Sequence, residues 1–216
     1  MEAVNTFECG GYRWPNRPGP GAAEFVRGQE SIAHSYALLP ARRRCAVCAG
    51  ANVGIMPRIY AQYFERVHAF EPDPLNFYCL TMNMLTAPVR THVTVHALGL
   101  GQRAADAHLY HDVENCGASY VGFHVTEDSF PVQLMPLDDL ELVDVDLLQL
   151  DVEGMELPAL LGARETIVRC RPWIVVEVKH QARYNWTVEE MELWLRERGY
   201  EFSAQHRNDR VYRCAA

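Results

Sequence analysis

The residues best suited to do chemistry are a glycine-framed turn and an acid that follows it. Gly50 and Gly54 frame the turn Gly-Ala-Asn-Val-Gly. Such a turn lets the backbone approach a ligand closely, and the helix after it directs free N–H groups at that ligand. Glu71 follows Gly50 by 21 positions, about the spacing at which a βαβ unit places the carboxylate that binds a ribose diol. The pattern predicts a nucleoside-binding half-site.

The spacing of the glycines indicates which nucleoside-containing ligand such a half-site favours. The dinucleotide fingerprint is G-x-G-x-x-G, in which the second glycine lets a pyrophosphate lie against the backbone. Asn52 stands where that second glycine would be. S-adenosylmethionine contains adenine, ribose and a methionine tail but no pyrophosphate, so the turn favours this smaller cofactor. An NAD-dependent oxidoreductase remains an alternative, because the same βαβ unit could serve it.

Alternating strand and helix patterns supply the elements that would position these residues. Apolar runs predict strands at residues 45–49, 67–70, 92–97, 145–150 and 173–178. Helical spacing predicts helices at 29–39, 53–64, 75–85 and 188–198, and one that begins near Glu156. Residues 105–134 are expected to be irregular, with short strands at 107–110 and 132–134, and residues 200–204 and 210–214 to form a hairpin. The prediction is an α/β fold with a doubly wound, mostly parallel sheet and an antiparallel C-terminal hairpin.

The domain organisation follows from a change in composition near Gly28. Residues 1–28 are rich in Gly, Pro and Arg and show no apolar period, which predicts an extended N-terminal arm. Residues 29–216 are then a single domain. The arm is interpreted as a loose terminus, with a flap over the substrate as the alternative suggested by Tyr12, Arg13 and Trp14.

Composition restricts the class of protein. A hydrophobic content of 49% and a charged content of 22% over 216 residues are typical of a soluble globular domain. The apolar runs are too short to span a membrane, and the N-terminus lacks the pattern of a secretory signal. The net charge of −8 makes nucleic acid an unexpected partner.

The cysteines predict a reducing compartment. Seven cysteines are an odd number without a framework, and Cys45-x-x-Cys48 has no second pair to complete a zinc site. Because that pair falls in an apolar strand, buried and reduced thiols are expected. The predictions are a cytoplasmic protein without a metal.

Five blocks of the sequence, in order, resemble the FkbM-type S-adenosylmethionine-dependent methyltransferases. They are AGANVG at 49–54, HAFEPDPLNFYCLTMNM at 68–84, ALG at 97–99, LLQLDVEGMELPALLGA at 147–163 and RPWIVVEV at 171–178. The resemblance implies a class I methyltransferase (Rossmann-like) fold and methyl transfer to oxygen, often on a sugar or natural-product hydroxyl. Relatives usually carry Asp, which helps to hold the cofactor, where this chain has Cys48. A non-catalytic binding protein is therefore a second alternative.

The predicted cofactor site combines strand ends with the residues that the resemblance implies. In open α/β sheets the ligand lies beyond the carboxyl ends of the strands. The expected cofactor-binding residues are Cys48, Gly50, Ala51, Asn52, Gly54, Glu71, Pro72, Leu98, Ser119 and Asp151. Ser119 belongs to a stretch, residues 115–120, that is similar to Gly/Ser stretches in the family, with a plain polar loop as the alternative. For Asp151 the alternative is a helix N-cap.

Transfer to a hydroxyl needs a general base within hydrogen-bond reach of the proton. Asp151, Glu177 and His180 are the candidates, because each follows a predicted strand at the same edge of the sheet. The acceptor is expected to be a small molecule or a glycan.

Overall fold

The computed structural model describes residues 5–17, 23–88, 92–111 and 119–215. The strands are β1 (Thr6–Cys9), β2 (Tyr12–Pro15), β3 (Cys45–Ala49), β4 (Arg66–Phe70), β5 (His92–His96), β6 (Gly99–Leu100), β7 (Ala105–Tyr110), β8 (Tyr120–Gly122), β9 (Phe130–Met135), β10 (Val145–Leu150), β11 (Trp173–Glu177), β12 (Tyr200–His206) and β13 (Asp209–Cys214). The helices are α1 (Ala23–Ala37), α2 (Ile55–Tyr60), α3 (Pro74–Thr86), α4 (Glu156–Leu161), α5 (Arg164–Cys170) and α6 (Val188–Arg196), with 3₁₀ turns at Leu137–Leu140 and Gln181–Tyr184.

The central sheet has seven strands in the order β12-β13-β11-β10-β3-β4-β5. The five strands from β11 to β5 run parallel to one another, and β13 and β12 add an antiparallel hairpin at the β11 edge. This topology confirms the predicted α/β class and its antiparallel C-terminal hairpin. Because β3, β4, β10 and β11 are parallel neighbours, their carboxyl ends lie along one edge, where a ligand is expected.

Helices cover both faces of this sheet, and strand β3 shows how the faces alternate. Cys45, Val47 and Ala49 pack into a core with residues of α4, α5 and α6. Ala46 and Cys48 point the other way, into a core with residues of α1, α2 and α3. Successive side chains of a strand point to opposite faces, so a central strand buried on both sides is apolar throughout. The sheet is doubly wound, as predicted.

A second sheet forms where the sequence suggested irregular structure. Its four strands have the order β6-β9-β7-β8, and its buried side chains are Ala107, Leu109, Val121, Val132 and Leu134, packed with Met155. The short strands predicted at 107–110 and 132–134 are parts of β7 and β9. Each strand is too short for its two-residue period to stand out in the sequence.

The N-terminal residues differ from the expected loose arm. Strands β1 and β2 pair as an antiparallel hairpin, and Tyr12 and Trp14 are 2% and 1% exposed. Asn83 of α3 holds this hairpin through hydrogen bonds to the backbone N–H and C=O of Arg13. Helix α1 begins at Ala23 rather than at residue 29, so the predicted boundary after Gly28 falls inside it. Residues 1–4 and 18–22 of the predicted arm lie outside the described residues.

Two smaller differences concern helices. Helix α2 ends at Tyr60 rather than at residue 64, and α5 was not predicted because Gly162 and Ala163 separate it from α4 by only two residues. The described cysteines are free thiols. Among the described residues, no helix combines the length and the apolar character that are needed to span a bilayer.

We expect Asn83→Ala to loosen the hairpin. Its side chain also donates to the Val53 carbonyl, so the substitution leaves three backbone groups without their partner, at about 1–3 kcal/mol for a buried unsatisfied group. Chemical denaturation should show a loss of that order, and hydrogen exchange should speed up in β1 and β2. Gln62→Ala, at an exposed side chain, is the control. Unchanged exchange in the hairpin would contradict this role of Asn83.

We also expect a histidine pair to make stability depend on pH. His68 Nδ1 lies 3.1 Å from His96 Nε2, and the rings stack. Burial, with His96 next in effect, lowers the pKa of His68 from 6.5 to about 4. His68 of the unfolded chain therefore binds a proton near pH 6.5, whereas His68 of the folded chain binds it only near pH 4. This contribution is complete above pH 6.5 and is lost as pH falls, and because the ring is partly exposed the loss at pH 5 is on the order of 1 kcal/mol.

Denaturation of His68→Gln and wild type at pH 7 and pH 5 measures this contribution. The variant should lose much less stability on acidification than the wild type does. His124→Gln, at an exposed histidine, should behave like the wild type. Equal acid sensitivity in all three proteins would exclude the pair as the cause.

Candidate functional site

The turn after β3 is held between the ends of two neighbouring strands. The N–H groups of Gly50 and Ala51 both donate to the carbonyl of Phe70, at 3.1 and 3.0 Å. Gly50 has a φ of 76°, and a Cβ added to it would lie 1.7 Å from the carbonyl oxygen of Asp151. A side chain has no room there, so Gly50 permits the turns after β3 and β10 to touch.

Glu71 connects the turn after β3 to the segment after β4. Its Oε2 accepts the N–H of Asn52 at 2.7 Å, and its Oε1 accepts the N–H of Asp73 at 2.9 Å. The side chain is buried, and burial raises its pKa to about 8, although the two backbone hydrogen bonds act in the opposite direction. Asn52 adopts a φ of 49°, and its side-chain Oδ1 is buried without a hydrogen-bond partner among the described residues.

Two adjoining clefts open at this edge of the sheet. The first cleft has a volume of about 670 Å³ and is lined by Gly50, Asn52, Glu71, Pro72, Asn76, Gly99, Leu100, Leu109, Ser119, Val121, Leu134, Asp151, Val152, Glu153 and Met155. The second cleft has a volume of about 760 Å³ and is lined by Trp14, Phe25, Gln29, Gly50, Ala51, Asn52, Val53, Ile55, Met56, Asp151, Glu153, Glu177 and Lys179.

The two clefts meet at a shared rim. Gly50, Asn52, Asp151 and Glu153 line both of them. The first cleft is otherwise built from the segments after β4 and β5 and from the second sheet. The second cleft is otherwise built from the N-terminal residues, the start of α2 and the segment after β11. An elongated ligand in one cleft would therefore pass the rim to reach the other.

Carboxyl groups are crowded at the rim. Asp151, Glu153 and Glu177 have oxygens that all lie within 4.8 Å of one another. Burial raises the pKa of Asp151 well above its usual range, and the charge of Glu177, a hydrogen bond with Glu177 and the charge of Glu153 raise it further. The ionised form of Asp151 is therefore disfavoured by its burial and by the acids around it. Three such carboxylates could ligate a cation, whereas the sequence analysis named no metal-binding residue.

Two neighbours complete the acid cluster. His180 Nε2 lies 3.2 Å from Glu153 Oε2, and Glu156 Oε1 accepts the N–H groups of Val152 and Gly154 at 3.1 and 3.0 Å. Burial raises the pKa of Glu156 to about 7. Glu156 thus holds the segment after β10 in place, while His180 neutralises part of the acidic charge when it is protonated.

The structure brings most of the predicted site residues to the clefts. Gly50, Asn52 and Asp151 line both, Glu71, Pro72 and Ser119 line the first, and Ala51 and Glu177 line the second. Cys48, Gly54, Leu98 and His180 line neither. Residues 115–118 of the predicted Gly/Ser stretch lie outside the described residues.

Cys48 is not placed to contact a ligand in either cleft. Its thiol is fully buried on the α1–α3 face of the sheet and lies 2.8 Å from Gln149 Oε1 as a hydrogen-bond donor. Burial raises the pKa of this thiol well above its usual value, so it stays neutral. The predicted cofactor contact is not seen because Cys48 lies inside the buried strand β3, where its thiol is covered by the helices of that face and donates to Gln149 of β10.

Gly54 and Leu98 have packing roles. A Cβ on Gly54 would lie 2.7 Å from Leu80 Cδ1, so this glycine lets the start of α2 approach α3. Leu98 packs against the main core, and its neighbour Gly99 lines the first cleft instead. His180 acts on the cluster through Glu153 and does not face the second cleft directly.

Several lining residues were not foreseen from the sequence. Phe25, Gln29 and Lys179 line the second cleft, and the second sheet contributes Leu109, Val121 and Leu134 to the first. The alternation of Tyr12 and Trp14 was a usable signal for a buried strand at the N-terminus. No local pattern points to Phe25 or Gln29, because only tertiary packing carries α1 to the cleft.

Comparison with known proteins identifies the family. The methyltransferase FkbM domain matches residues 49–202. None of the curated proteins is similar enough to this chain in sequence to count as a match. A solved structure with a similar fold is a methyltransferase FkbM from Methylobacillus flagellatus, with 22% identity and a TM-score of 0.59, and the alignment covers 88% of this chain and 50% of that one. This chain therefore spans about half the length of that protein.

Two further solved structures share the fold. A precorrin 8w decarboxylase from Methanobacterium thermoautotrophicum has 16% identity and a TM-score of 0.54, with 97% of this chain and 100% of that chain covered. TYW2 of M. jannaschii in complex with AdoMet has 12% identity and a TM-score of 0.50, with 94% and 82% covered. At these identities the likeness concerns the fold alone. The FkbM domain, in contrast, matches more than half of the chain, and the chain therefore belongs to the FkbM methyltransferase family.

Proposed function

We propose that this protein transfers a methyl group from S-adenosylmethionine to a hydroxyl group of a small-molecule or glycan acceptor. The observation that carries the proposal is the position of Glu71. Its carboxylate lies at the end of β4, tied to the turn after β3 by the N–H of Asn52, and it lines the first cleft. This is the arrangement that a ribose diol requires, and the chain belongs to a methyltransferase family.

The residues of the first cleft fit an adenosine group. Each oxygen of Glu71 accepts one backbone N–H, and a carboxylate offers about four acceptor positions, so positions remain for two ribose hydroxyls. Leu100, Leu109 and Leu134 supply an apolar surface for a purine ring, and Asn76 supplies polar atoms beside them. The fit to NAD is poorer, because a pyrophosphate at the turn would have to lie against Asn52.

The acid cluster suits the chemistry at the rim. S-adenosylmethionine supplies an electrophilic methyl group carried on a cationic sulfonium. Carboxylates near that position favour a cation electrostatically. A hydroxyl acceptor must also lose its proton, and the hydrogen-bonded pair of Asp151 and Glu177 lies where it can accept that proton. His180 supports this pair by holding Glu153.

The charge of the protein supports the choice of acceptor. The net charge is −8, and three acids line the second cleft against one lysine. A polyanionic nucleic acid would be repelled from such a surface. An uncharged acceptor that offers hydroxyl groups to carboxylates is favoured, which agrees with a small molecule or a glycan in the cytoplasm.

A thermal-shift experiment tests the cofactor. S-adenosylmethionine and S-adenosylhomocysteine should each raise the melting temperature in proportion to the logarithm of their concentration, because each binds only the folded state. NAD should not raise it. Stabilisation by NAD alone would favour an oxidoreductase, and stabilisation by none of the three would contradict the proposal.

Glu71→Gln should weaken S-adenosylhomocysteine binding at least about tenfold, because hydrogen bonds to a charged acceptor contribute about 1.5–3 kcal/mol. Gln is preferred to Ala because both carboxylate oxygens also accept backbone N–H groups, so that Ala would disturb the turn itself. Titration calorimetry measures the change. Glu65→Gln, at an exposed glutamate, is the matched control. Equal affinity in the two variants would show that Glu71 does not bind the ribose.

Binding should also release a proton. The pKa of Glu71 is about 8 in the free protein, and ribose hydroxyls bind its ionised form. Affinity should therefore rise with pH up to about 8 and then level off, by up to about tenfold per pH unit. 5′-Methylthioadenosine is the suitable ligand because it lacks the amino group that titrates in this range.

Calorimetry of 5′-methylthioadenosine at pH 7, in buffers with different ionisation enthalpies, counts the released protons. The wild type should release close to one proton, and Glu71→Gln should release close to none. Proton release that survives in Glu71→Gln would assign the effect to other groups.

A further inference from the structure

We propose that Arg183 is a positioning residue for the acid cluster: it fixes the backbone of Glu153 and so keeps the Glu153 carboxylate where it favours the cationic S-adenosylmethionine over the neutral product S-adenosylhomocysteine. The proposal rests on the proposed function, because it concerns how the rim of the two clefts distinguishes a sulfonium from a thioether. Arg183 lies in the segment after β11, in the 3₁₀ turn Gln181–Tyr184, and acts on the rim from outside the two clefts.

The turn after β10 has an unusual backbone conformation. Glu153 has a φ of 55°, and Gly154 has a φ of 110°. A glutamate rarely adopts a left-handed conformation, and such a conformation persists only where the surrounding structure holds it. Glu153 is buried and lines both clefts. The backbone at residue 153 therefore decides where this carboxylate lies at the rim.

Side chains of the segment after β11 bind both carbonyl groups of this turn. Arg183 Nη1 donates to the Glu153 carbonyl at 3.0 Å, and Trp186 Nε1 donates to the Gly154 carbonyl at 2.7 Å. The segment also packs closely against the turn, since a Cβ on Gly154 would lie 2.6 Å from Tyr184 Cε2. The carbonyl of the left-handed glutamate thus depends on Arg183 for its hydrogen bond.

The ring of Tyr120 fixes the guanidinium group of Arg183. The guanidinium carbon lies 3.7 Å from the centroid of this ring, which is a cation–π contact. Tyr120 belongs to β8 and stacks in turn on Tyr110 of β7, with ring centroids 5.1 Å apart. None of the ion pairs in the described part of the chain includes Arg183. Its guanidinium group therefore contacts a ring and a carbonyl, and it neutralises no carboxylate of the cluster directly.

The position of the Glu153 carboxylate affects the two ligands differently. The sulfur of S-adenosylmethionine is positively charged, whereas the sulfur of S-adenosylhomocysteine is neutral. The attraction of a carboxylate for a cation falls with distance. If the turn relaxed to a common backbone conformation, the carboxylate would move away from the acids that it now meets within 4.8 Å, and the cofactor would lose more affinity than the product. A preference for the charged ligand also limits inhibition by the product.

Titration calorimetry with both ligands tests this role. Arg183→Met should lower the dissociation constant of S-adenosylhomocysteine divided by that of S-adenosylmethionine by about three- to fivefold. The direction is diagnostic, because the loss of a positive charge near acids would by itself raise this ratio. Tyr120→Leu leaves the charges unchanged and should also lower the ratio. Arg103→Met, at an exposed arginine outside both clefts, is the control for the lost charge and should leave the ratio unchanged.

Hydrogen exchange gives a second readout, in the free protein. If Arg183 holds the turn, Arg183→Met should speed up the exchange of the amides of residues 152–156, and Arg103→Met should not. Arg183→Lys should resemble Arg183→Met more than the wild type, because a lysine keeps the charge but has no planar group to lie on the ring while it donates to the carbonyl.

The outcomes separate this proposal from the proposed function. If the wild type binds neither ligand, the proposed function fails, and this proposal fails with it. If the wild type binds both ligands, a ratio that is unchanged or raised in Arg183→Met overturns the positioning role while the proposed function stands. An equal loss of affinity for the two ligands leaves the ratio unchanged and has the same meaning. Unchanged exchange at residues 152–156 in Arg183→Met would also overturn this role.

Discussion

The contact between Gly50 and the carbonyl of Asp151 is the constraint on which the site depends. Strands β3 and β10 are parallel neighbours, with Ala49 paired to Leu150, so the turns that follow them emerge side by side. A Cβ at residue 50 would lie 1.7 Å from that carbonyl oxygen, and any side chain would force the turns apart. Their closeness presents the N–H of Asn52 to Glu71 and brings Asp151 to the rim of both clefts. Without it, Glu71 and the carboxyl cluster would belong to separate surfaces.

The same closeness concentrates acidic groups. Asp151, Glu153 and Glu177 meet within 4.8 Å, and burial adds to their mutual repulsion by disfavouring every ionised form. The raised pKa of Asp151 reflects this cost, and the pairing of Glu153 with His180 offsets part of it. A cationic ligand would reduce the repulsion among these carboxylates, because it stabilises their ionised forms directly. The cluster therefore favours positive charge at the rim, which is what the sulfonium of S-adenosylmethionine would provide.

The sequence predicted the central sheet well, because its strands are buried on both faces and appear as unbroken apolar runs. Strands β3 and β10 have the predicted ends, and Glu71 lies where the βαβ spacing placed it. The N-terminal hairpin was missed and the second sheet was predicted only as two short strands, since the burial of both depends on contacts with distant residues rather than on a local period. The prediction for Cys48 shows a different limit. A family pattern indicates that a position matters, but it does not show whether the side chain reaches a cleft, and here it is buried within the sheet against Gln149.

The N-terminal residues precede the region that matches the FkbM domain, yet they supply Trp14, Phe25 and Gln29 to the second cleft. Asp73 links them to the ribose side of the site. Its carboxylate caps α3 and accepts both terminal nitrogens of Arg17, at 2.8 and 3.1 Å, while its backbone N–H donates to Glu71. A displacement of the N-terminal hairpin would therefore reach Glu71 through one residue. Because the wall of the second cleft and Glu71 share this anchor, the two clefts are physically coupled, although they draw on separate parts of the chain.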